Sequence, residues 1–293
     1  MTYQIISDGA CDLTPDFASR HNVEIVPFYV SFDKENYFKE GSELDHDSFY
    51  KKMDSEHAIP SSSLPSVNDY YEVFLKYAKA NTPVICICIT TKFSGSYNSA
   101  STARDQITED YPDAKITVID STLNTVTEGL YVYEAIRMRD NNLSYEETVA
   151  NLERIKSTGR IFFTVGSLEY LVKNGRIGKV ATIAGDKLGL KPIIIMADGE
   201  IGLGGVTRNR EKTKKAIIEQ VKKYFKTNNL SFNDYTFTIG TGYDYDEAAK
   251  YKEQFEAALE VKFSDIEAVI GTTVGCHTGP HPIGIGFIQK YDA

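Results

Sequence analysis

Two stretches of the sequence place hydroxyl groups and a histidine where a small anionic ligand could be bound. The first, residues 90–95, follows a continuous apolar run at residues 84–89 and precedes a helical pattern. The second, residues 271–282, is rich in glycine and contains His277. A turn from a buried strand into a helix presents hydroxyls and free backbone N–H groups at the carboxyl edge of a sheet, where the helix dipole favours an anion. These stretches therefore indicate a pocket for an anionic head group.

Three consecutive serines, residues 61–63, lie between Pro60 and Pro65. The prolines hold the backbone extended, so the hydroxyls are displayed next to one another. Spacing alone favours a plain polar loop over a binding segment. For His277 both roles stay open, because a single histidine is commonly structural, whereas its glycine and proline neighbours argue against a position in a helix core.

A serine hydrolase is one class that these residues could serve, with Ser94 as the nucleophile and His277 as the base. The sequence around Ser94 lacks the G-x-S-x-G pattern of a nucleophile elbow, and no acidic partner stands out. The sequence therefore favours binding over hydrolysis.

Composition limits the class of protein. The 293 residues are enough for two domains of ordinary size, and 42% hydrophobic with 25% charged residues indicate a globular chain. No apolar run approaches 18 residues, which predicts no integral membrane segment, and the first residues lack a signal-peptide pattern. The four cysteines have no metal or redox spacing, which predicts reduced thiols in a cytoplasmic protein without a bound metal.

The net charge of −9 argues against nucleic acid as a partner, but the charge is unevenly distributed. Residues 160–226 contain 14 Lys or Arg and 6 Asp or Glu, so this basic segment carries +8 and the remainder of the chain −17. A solvated face and a docking surface both fit the basic segment.

The elements that must position these residues predict two α/β units. Up to residue 157, short apolar strands alternate with helical patterns, which indicates a doubly wound domain with a parallel sheet. From residue 158 to residue 293, strands are joined by a hairpin turn at Asp198-Gly199 as well as by helices, which indicates an α+β or mixed-sheet domain. The predicted fold class is therefore α/β, with domains at residues 1–157 and 158–293.

Local signals predict several boundaries. Four residues have the type and setting of helix N-caps: Thr14, Asp45, Ser66 and Ser144. Asp69 and Glu147 complete capping boxes with the last two. Residues 23–32 and residues 265–270 each predict a single strand, and residues 271–282 predict a turn.

Taken together, these motifs resemble those of the DegV family of bacterial fatty-acid-binding proteins, over essentially the whole chain. Five matching segments occur in the family's order: Ser7-Asp8 with Asp12-Leu13, residues 62–66, residues 90–97, residues 167–171 with 175–178, and residues 277–280. The resemblance implies two α/β domains with one long-chain fatty acid, such as palmitate, in the cleft between them. It implies a lipid carrier rather than an enzyme, and no cofactor beyond that ligand.

The resemblance also implies which residues bind. In the family, a hydroxyl of the segment rich in serine and threonine, the serine of the Ser-Gly turn and a histidine near the C-terminus surround the fatty-acid carboxylate. In this chain these are Ser62, Ser94 and His277. The residues implied to support the head-group turn are Ser63, Gly95, Thr278 and Gly279. Such donors suit a carboxylate, which loses its hydration when it enters an apolar cleft.

Some members of the family are the carrier subunit of a fatty acid kinase and present the bound acid to a separate ATP-dependent enzyme. This chain has no Walker-type G-x-x-x-x-G-K-[ST] motif, so the phosphoryl transfer implied by the resemblance would come from a partner. Arg176 and Arg208 resemble the family's kinase-docking arginines. A sensor of another amphiphilic acid stays open as an alternative.

Overall fold

The computed structural model describes residues 3–183 and 190–293. Within them the strands are β1 (Gln4–Asp8), β2 (Val23–Val26), β3 (Tyr29–Ser31), β4 (Phe38–Lys39), β5 (Ser61–Ser63), β6 (Val84–Cys88), β7 (Ile116–Asp120), β8 (Arg160–Thr164), β9 (Lys191–Ala197), β10 (Glu200–Thr207), β11 (Tyr235–Thr241) and β12 (Ile283–Gln289). The α-helices are α1 (Pro15–Arg20), α2 (His46–Glu56), α3 (Val67–Lys79), α4 (Ser96–Asp110), α5 (Thr125–Asp140), α6 (Tyr145–Ile155), α7 (Glu169–Lys173), α8 (Arg210–Thr227), α9 (Tyr245–Leu259) and α10 (Thr272–Thr278). Asp186 and Lys187, which count toward the basic segment, lie outside the described residues.

The first sheet is parallel, with the strand order β2-β1-β6-β7. Every residue of β6 is buried, because the strand has helices on both faces. Ile85 and Ile87 pack with residues of α5 and α6, whereas Cys86 and Cys88 pack with residues of α3 and α4. The doubly wound arrangement predicted for this part of the chain is therefore confirmed, as is the succession of buried strand, turn and helix at β6 and α4.

The second sheet has the order β10-β9-β8-β12-β11, and each of its described pairings is antiparallel. The hairpin predicted at Asp198-Gly199 joins β9 to β10, and both turn residues have positive φ, 51° and 83°. The mixed sheet expected for residues 158–293 is thus corrected to an antiparallel one, which is the α+β arrangement that the sequence left open. The helical connection α8 creates no parallel pair, because it joins the two edge strands.

A third, small antiparallel sheet has the order β4-β3-β5. The single strand predicted for residues 23–32 is wrong, since it divides at Pro27 into β2, which joins the parallel sheet, and β3, which joins the small one. Proline has no N–H to donate and so interrupts a ladder of backbone hydrogen bonds. The serines of residues 61–63, expected in an extended loop, form β5.

The helix α5 connects the two larger sheets. It packs on β1 of the parallel sheet and on β11 and β12 of the antiparallel sheet, and is buried along most of its length. All strands of the parallel sheet precede residue 157, and all strands of the antiparallel sheet follow residue 158. The domain boundary at this point stays a prediction, because α5 contributes to both cores.

The region before β12 differs from its prediction. The strand expected at residues 265–270 is wrong, since the structure has there an isolated bridge between Leu13 and Ala268. The turn expected at residues 271–282 is wrong over its first half, which forms α10. This helix ends at Thr278 and is followed by Gly279, whose φ of 76° suits glycine. His277 therefore lies in the last turn of a helix, contrary to what its neighbours suggested.

The predicted N-caps are confirmed. Each accepts a hydrogen bond from a backbone N–H in the first turn of its helix: Thr14, Asp45, Ser66 and Ser144. Asp69 and Glu147 complete the two capping boxes. All four cysteines are free and buried. No helix within residues 3–183 and 190–293 has the length and apolar character needed to cross a membrane.

Candidate functional site

A cavity of about 200 Å³ is lined by residues from both parts of the chain. Its polar lining residues are Ser62, Ser63, Ser94, Asn124, Arg176, Thr273, His277 and Thr278. Its apolar lining residues are Phe28, Leu64, Ile89, Phe93, Phe163, Leu171, Ile201 and Val274. The three residues that the resemblance assigned to a carboxylate thus line one space, although they come from β5, the turn before α4, and α10.

The cavity has two neighbours. An inner cavity of about 30 Å³ shares four of its lining residues, among them Phe163 and Val274, and lies against the start of α5 and against β12. An open surface notch of about 520 Å³ shares Phe93, Ser94, Arg176 and Ile201 with it. The Ser94 turn therefore marks the side of the cavity nearest to solvent, and Phe163 and Val274 mark the apolar interior.

A direct hydrogen bond joins Ser62 and His277, with 3.0 Å between Ser62 Oγ and His277 Nε2. Ser62 is fixed by the ladder of the small sheet, where it pairs with Val30. His277 is fixed by α10, whose Gly275 leaves no room for a side chain, since a Cβ there would come within 2.7 Å of Phe49 and of Tyr50. The contact thus joins two rigid elements.

His277 is neutral at physiological pH. Burial, followed by the nearby charge of Arg176, lowers its pKa from 6.5 to about 4. Its Nδ1 is buried and has no hydrogen-bond partner among the described residues. A neutral imidazole carries one proton, so the proton on one ring nitrogen leaves the other as an acceptor.

The Ser94 turn is held by a buried carboxylate. Asp8, at the end of β1, accepts hydrogen bonds from Ile89 N (3.0 Å) and Ser96 Oγ (2.6 Å), and burial raises its pKa to about 7. Ser94 Oγ in turn accepts a hydrogen bond from Ser96 N (3.2 Å). Asp8 also accepts a hydrogen bond from Ala10 N at 3.2 Å, and the sequence did not indicate its contacts with the residue after β6 and with α4.

Arg176 lines both the cavity and the surface notch. Its guanidinium donates two hydrogen bonds to the carbonyl of Phe93 (3.1 and 3.0 Å) and one to the carbonyl of Asn174 (2.9 Å). A fixed positive charge therefore lies at the mouth of the cavity. The sequence placed Arg176 on a docking surface and gave no sign of this contact, which joins segments 83 residues apart.

Arg208 lies elsewhere. It is exposed and follows the far end of β10, whereas Ile201, near the start of that strand, lines the cavity. Seven residues of extended chain separate them by on the order of 20 Å. Because Arg176 lines the same cavity as Ile201, the two arginines expected to act together are well separated.

The four supporting residues divide into two groups. Ser63 and Thr278 line the cavity, and Thr278 Oγ1 lies 3.3 Å from the carbonyl of Val274. Gly95 lines only the surface notch, and Gly279 lines neither space. Instead, Gly279 leaves room for the ring of Tyr170, which a Cβ would approach to 2.6 Å.

The arrangement differs from that of a serine hydrolase. The hydroxyl that hydrogen-bonds His277 belongs to Ser62 rather than to Ser94, and within the described residues no carboxylate holds Nδ1. An imidazole with a pKa of about 4 is also a weak general base at neutral pH.

Known proteins resemble this chain along its full length. The family model described as "Uncharacterised protein, DegV family" matches residues 2–290. A DegV domain-containing protein from Clostridium acetobutylicum is 30% identical, with 99% of each chain covered. The crystal structure of a stearic-acid-binding protein from Eubacterium ventriosum is 47% identical, with a TM-score of 0.94 and 99% of each chain covered. A fatty-acid-binding DegV family protein from Thermus thermophilus is 25% identical, with a TM-score of 0.87 over 99% of this chain and 100% of the other.

Proposed function

This chain belongs to the DegV family, and on that premise we propose that it is a carrier of long-chain fatty acids rather than an enzyme. The acid's carboxylate binds near Ser62, Ser94 and His277, and its tail occupies the apolar part of the cavity. The observation that carries the proposal is the Ser62–His277 hydrogen bond in the wall of a cavity that has polar residues as well as eight apolar ones in its lining. The similarity to the stearic-acid-binding protein of Eubacterium ventriosum supports it.

The head group is held by hydroxyl protons. When neutral His277 donates from Nε2 to Ser62 Oγ, the hydroxyl proton of Ser62 is free to point at a ligand. Ser94 Oγ accepts from Ser96 N, so its hydroxyl proton is free as well. Arg176 adds a positive charge at the mouth, which favours the ionised acid. His277 thus orients a donor, and two hydroxyls replace part of the water that the carboxylate loses.

The tail supplies most of the binding energy. Each buried methylene contributes roughly 0.8 kcal/mol, so a 16-carbon chain offers on the order of 10 kcal/mol before ordering costs. The cavity of about 200 Å³ and the inner cavity of about 30 Å³ are smaller than usual ligand pockets. Entry of a long tail therefore requires the two spaces to join past Phe163 and Val274.

The first experiment identifies the ligand. Protein purified without added lipid is extracted with organic solvent, and the extract is analysed by mass spectrometry. We expect a long-chain fatty acid in near-stoichiometric amount. Recovery of another amphiphilic acid would support a sensor of that acid, and an extract without lipid, together with no binding of added palmitate, would refute the proposal.

A pair of serine variants tests the head group. Ser62→Ala removes a hydrogen bond to a charged group, worth about 1.5–3 kcal/mol, and should weaken palmitate binding about tenfold or more. Ser61→Ala is the matched control, because Ser61 is the neighbouring residue of β5 and does not line the cavity. Equal affinities of the two variants would contradict this role for Ser62.

Presentation of the acid to a separate fatty acid kinase is the second part of the proposal. The basic segment supports it only in part, since six of its cations in the described ranges form ion pairs with carboxylates of this chain: Arg160, Lys173, Lys179, Arg210, Lys214 and Lys222. Arg208→Glu is the clean test of docking, because Arg208 is exposed and lies away from the cavity, whereas Arg176 also shapes its mouth. Unchanged acyl-phosphate formation by a cognate kinase would refute docking at Arg208. A cytoplasmic location, where ATP and reduced cysteines are found, belongs to the same proposal.

A further inference from the structure

Glu40, just after β4, points its carboxylate at the first turn of α10. Its Oε1 accepts hydrogen bonds from Thr273 N and Thr272 Oγ1, both at 2.9 Å, and its Oε2 accepts one from Thr273 Oγ1 at 2.8 Å. The N-cap of α10 is Gly271, which has no side chain to cap the helix. Glu40 therefore acts as the cap, although it lies more than 200 residues away in sequence.

The surrounding backbone leaves room for this carboxylate. A Cβ at Gly9 would lie 2.5 Å from Glu40 Oε2, and a Cβ at Gly271 would lie 2.7 Å from Oε1. Both distances are below any contact that a side-chain carbon makes, so a residue other than glycine at either position would displace the carboxylate. Glycine at each of these positions thus leaves space for one oxygen of the same carboxylate.

The same small sheet holds both ends of α10. Val30 of β3 pairs with Phe38 of β4 on one side and with Ser62 of β5 on the other. β5 meets the last turn of the helix through the Ser62–His277 hydrogen bond, and the residue after β4 meets its first turn. The helix has seven residues and is about 10 Å long, so the two contacts fix its position along its axis and its rotation.

We propose that Glu40 is a positioning residue for the head-group site: it holds α10 so that His277 Nε2 meets Ser62 Oγ, and thereby orients the Ser62 hydroxyl toward the ligand. The inference rests on the proposed function, in which that hydroxyl binds a fatty-acid carboxylate. A carboxylate suits the position, because three donors converge on its two oxygens and because negative charge is favoured at a helix N-terminus. Glutamine has a single acceptor oxygen and loses the charge.

A second carboxylate keeps the helix in place when Glu40 is changed. Asp12 Oδ1 accepts a hydrogen bond from Gly271 N at 2.9 Å, and Asp12 Oδ2 accepts one from Thr125 Oγ1. Glu40→Gln should therefore loosen α10 without unfolding it. The variant allows the position of His277 to be tested apart from the presence of the helix.

The test uses the full chain and two probes of the same length, palmitate and 1-hexadecanol. The alcohol has the tail but no carboxylate. We expect Glu40→Gln to weaken palmitate binding about tenfold and hexadecanol binding less than twofold, because only palmitate depends on the oriented hydroxyl. Glu43→Gln is the matched control, since Glu43 is exposed in the same turn and its carboxylate accepts a hydrogen bond from the local Lys39 N. It should leave both affinities unchanged.

A double-variant cycle separates positioning from general loosening. In a Ser62→Ala background, Glu40→Gln should have no further effect on palmitate binding, because the hydroxyl that Glu40 orients is absent. The inference would be overturned by equal losses of affinity for the two probes, by additive losses of palmitate affinity in the cycle, or by no loss of affinity for either probe. Wild-type protein that binds palmitate no better than hexadecanol would instead contradict the proposed function. Should Glu40→Gln fail to fold, Thr272→Val removes one of the three hydrogen bonds, and the same comparison decides with a smaller expected loss.

Discussion

Two glutamates of α5 test how burial acts on a carboxyl group in this fold. Glu128 and Glu134 are both 0% exposed, yet they differ in their partners. Arg137 Nη1 lies 3.0 and 2.7 Å from the oxygens of Glu134, and Thr236 Oγ1 and Tyr291 N donate to it at 2.9 and 3.0 Å. Within the described part of the chain, neither carboxyl oxygen of Glu128 has a hydrogen-bond partner.

Burial, followed by the charges of Asp8 and Asp12, raises the pKa of Glu128 well above its ordinary 4.5. Above pH 4.5 the unfolded chain therefore loses a proton that the folded chain keeps. The free energy of unfolding consequently falls, through this group, by about 1.4 kcal/mol per pH unit until the pKa of the folded state is reached. The contribution of the protonated Glu128 carboxyl to the free energy of unfolding is complete below pH 4.5 and is lost as the pH rises.

Glu128→Gln removes this titration and keeps the shape of the side chain. We expect the free energy of unfolding of the variant, relative to wild type, to rise by about 1.4 kcal/mol per pH unit from about pH 5 upward. The buried amide carries a cost that is the same at every pH. Glu134→Gln is the matched control: it leaves Arg137 without its buried anion and should lower the free energy of unfolding by about 2 kcal/mol near pH 7.

Urea-induced unfolding, followed by circular dichroism at several pH values, measures both variants. The decisive quantity is the slope of the difference between Glu128→Gln and wild type with pH. A difference that does not change with pH would show that Glu128 is ionised in the folded protein, with its charge compensated by bound water or a cation. That result would refute the reasoning from burial.

Three further outcomes are expected, each measured by urea-induced unfolding. Gly279→Ala should lower the free energy of unfolding by more than about 1 kcal/mol, because φ is 76° and the new Cβ meets Tyr170. Thr14→Ala should cost about 1 kcal/mol, because Phe17 N loses its capping partner. The lowered pKa of His277 means that the unfolded chain gains a proton below pH 6.5 that the folded chain refuses until about pH 4. As the pH falls through that interval, the free energy of unfolding of wild type should therefore decrease relative to that of His277→Gln. Parallel curves of unfolding free energy against pH for the two proteins would contradict this.

Features that depend on neighbouring residues were predictable. The N-caps at Thr14 and Ser66 follow from a side chain that reaches a backbone N–H three residues away, and the hairpin at Asp198-Gly199 follows from two residues that tolerate positive φ. The buried strand β6 follows from its unbroken apolar run. Each of these signals acts within a few residues, so the remainder of the fold does not alter it.

Features that depend on distant residues were not predictable. α10 contains Gly275 and begins at a glycine, which are poor local signals for a helix, and it is stabilised by Glu40 and Asp12 from far earlier in the chain. The strand expected at residues 265–270 fails for a related reason: a run of suitable residues becomes a strand only where a neighbouring strand offers an edge, and here one bridge to Leu13 is made. Gly9 and Gly271 are the sequence features connected with the Glu40 contact. Their role is evident only from the structure, which places both next to the Glu40 carboxylate.

The chemistry of the site was likewise predictable only in part. The sequence, through the family resemblance, named Ser62, Ser94 and His277, and these residues line one cavity. It could not tell which serine the histidine contacts, and the structure shows that this serine is Ser62 rather than the Ser94 considered as a hydrolase nucleophile. A base bonded to Ser94, with a carboxylate on its Nδ1, would activate a nucleophile. A neutral imidazole bonded to Ser62, with Nδ1 unpaired among the described residues, lacks the carboxylate partner of that arrangement, and when it donates from Nε2 it orients the Ser62 hydroxyl. The distinction arises from where β5 and α10 meet, and hence from the two contacts that hold α10 against the small sheet.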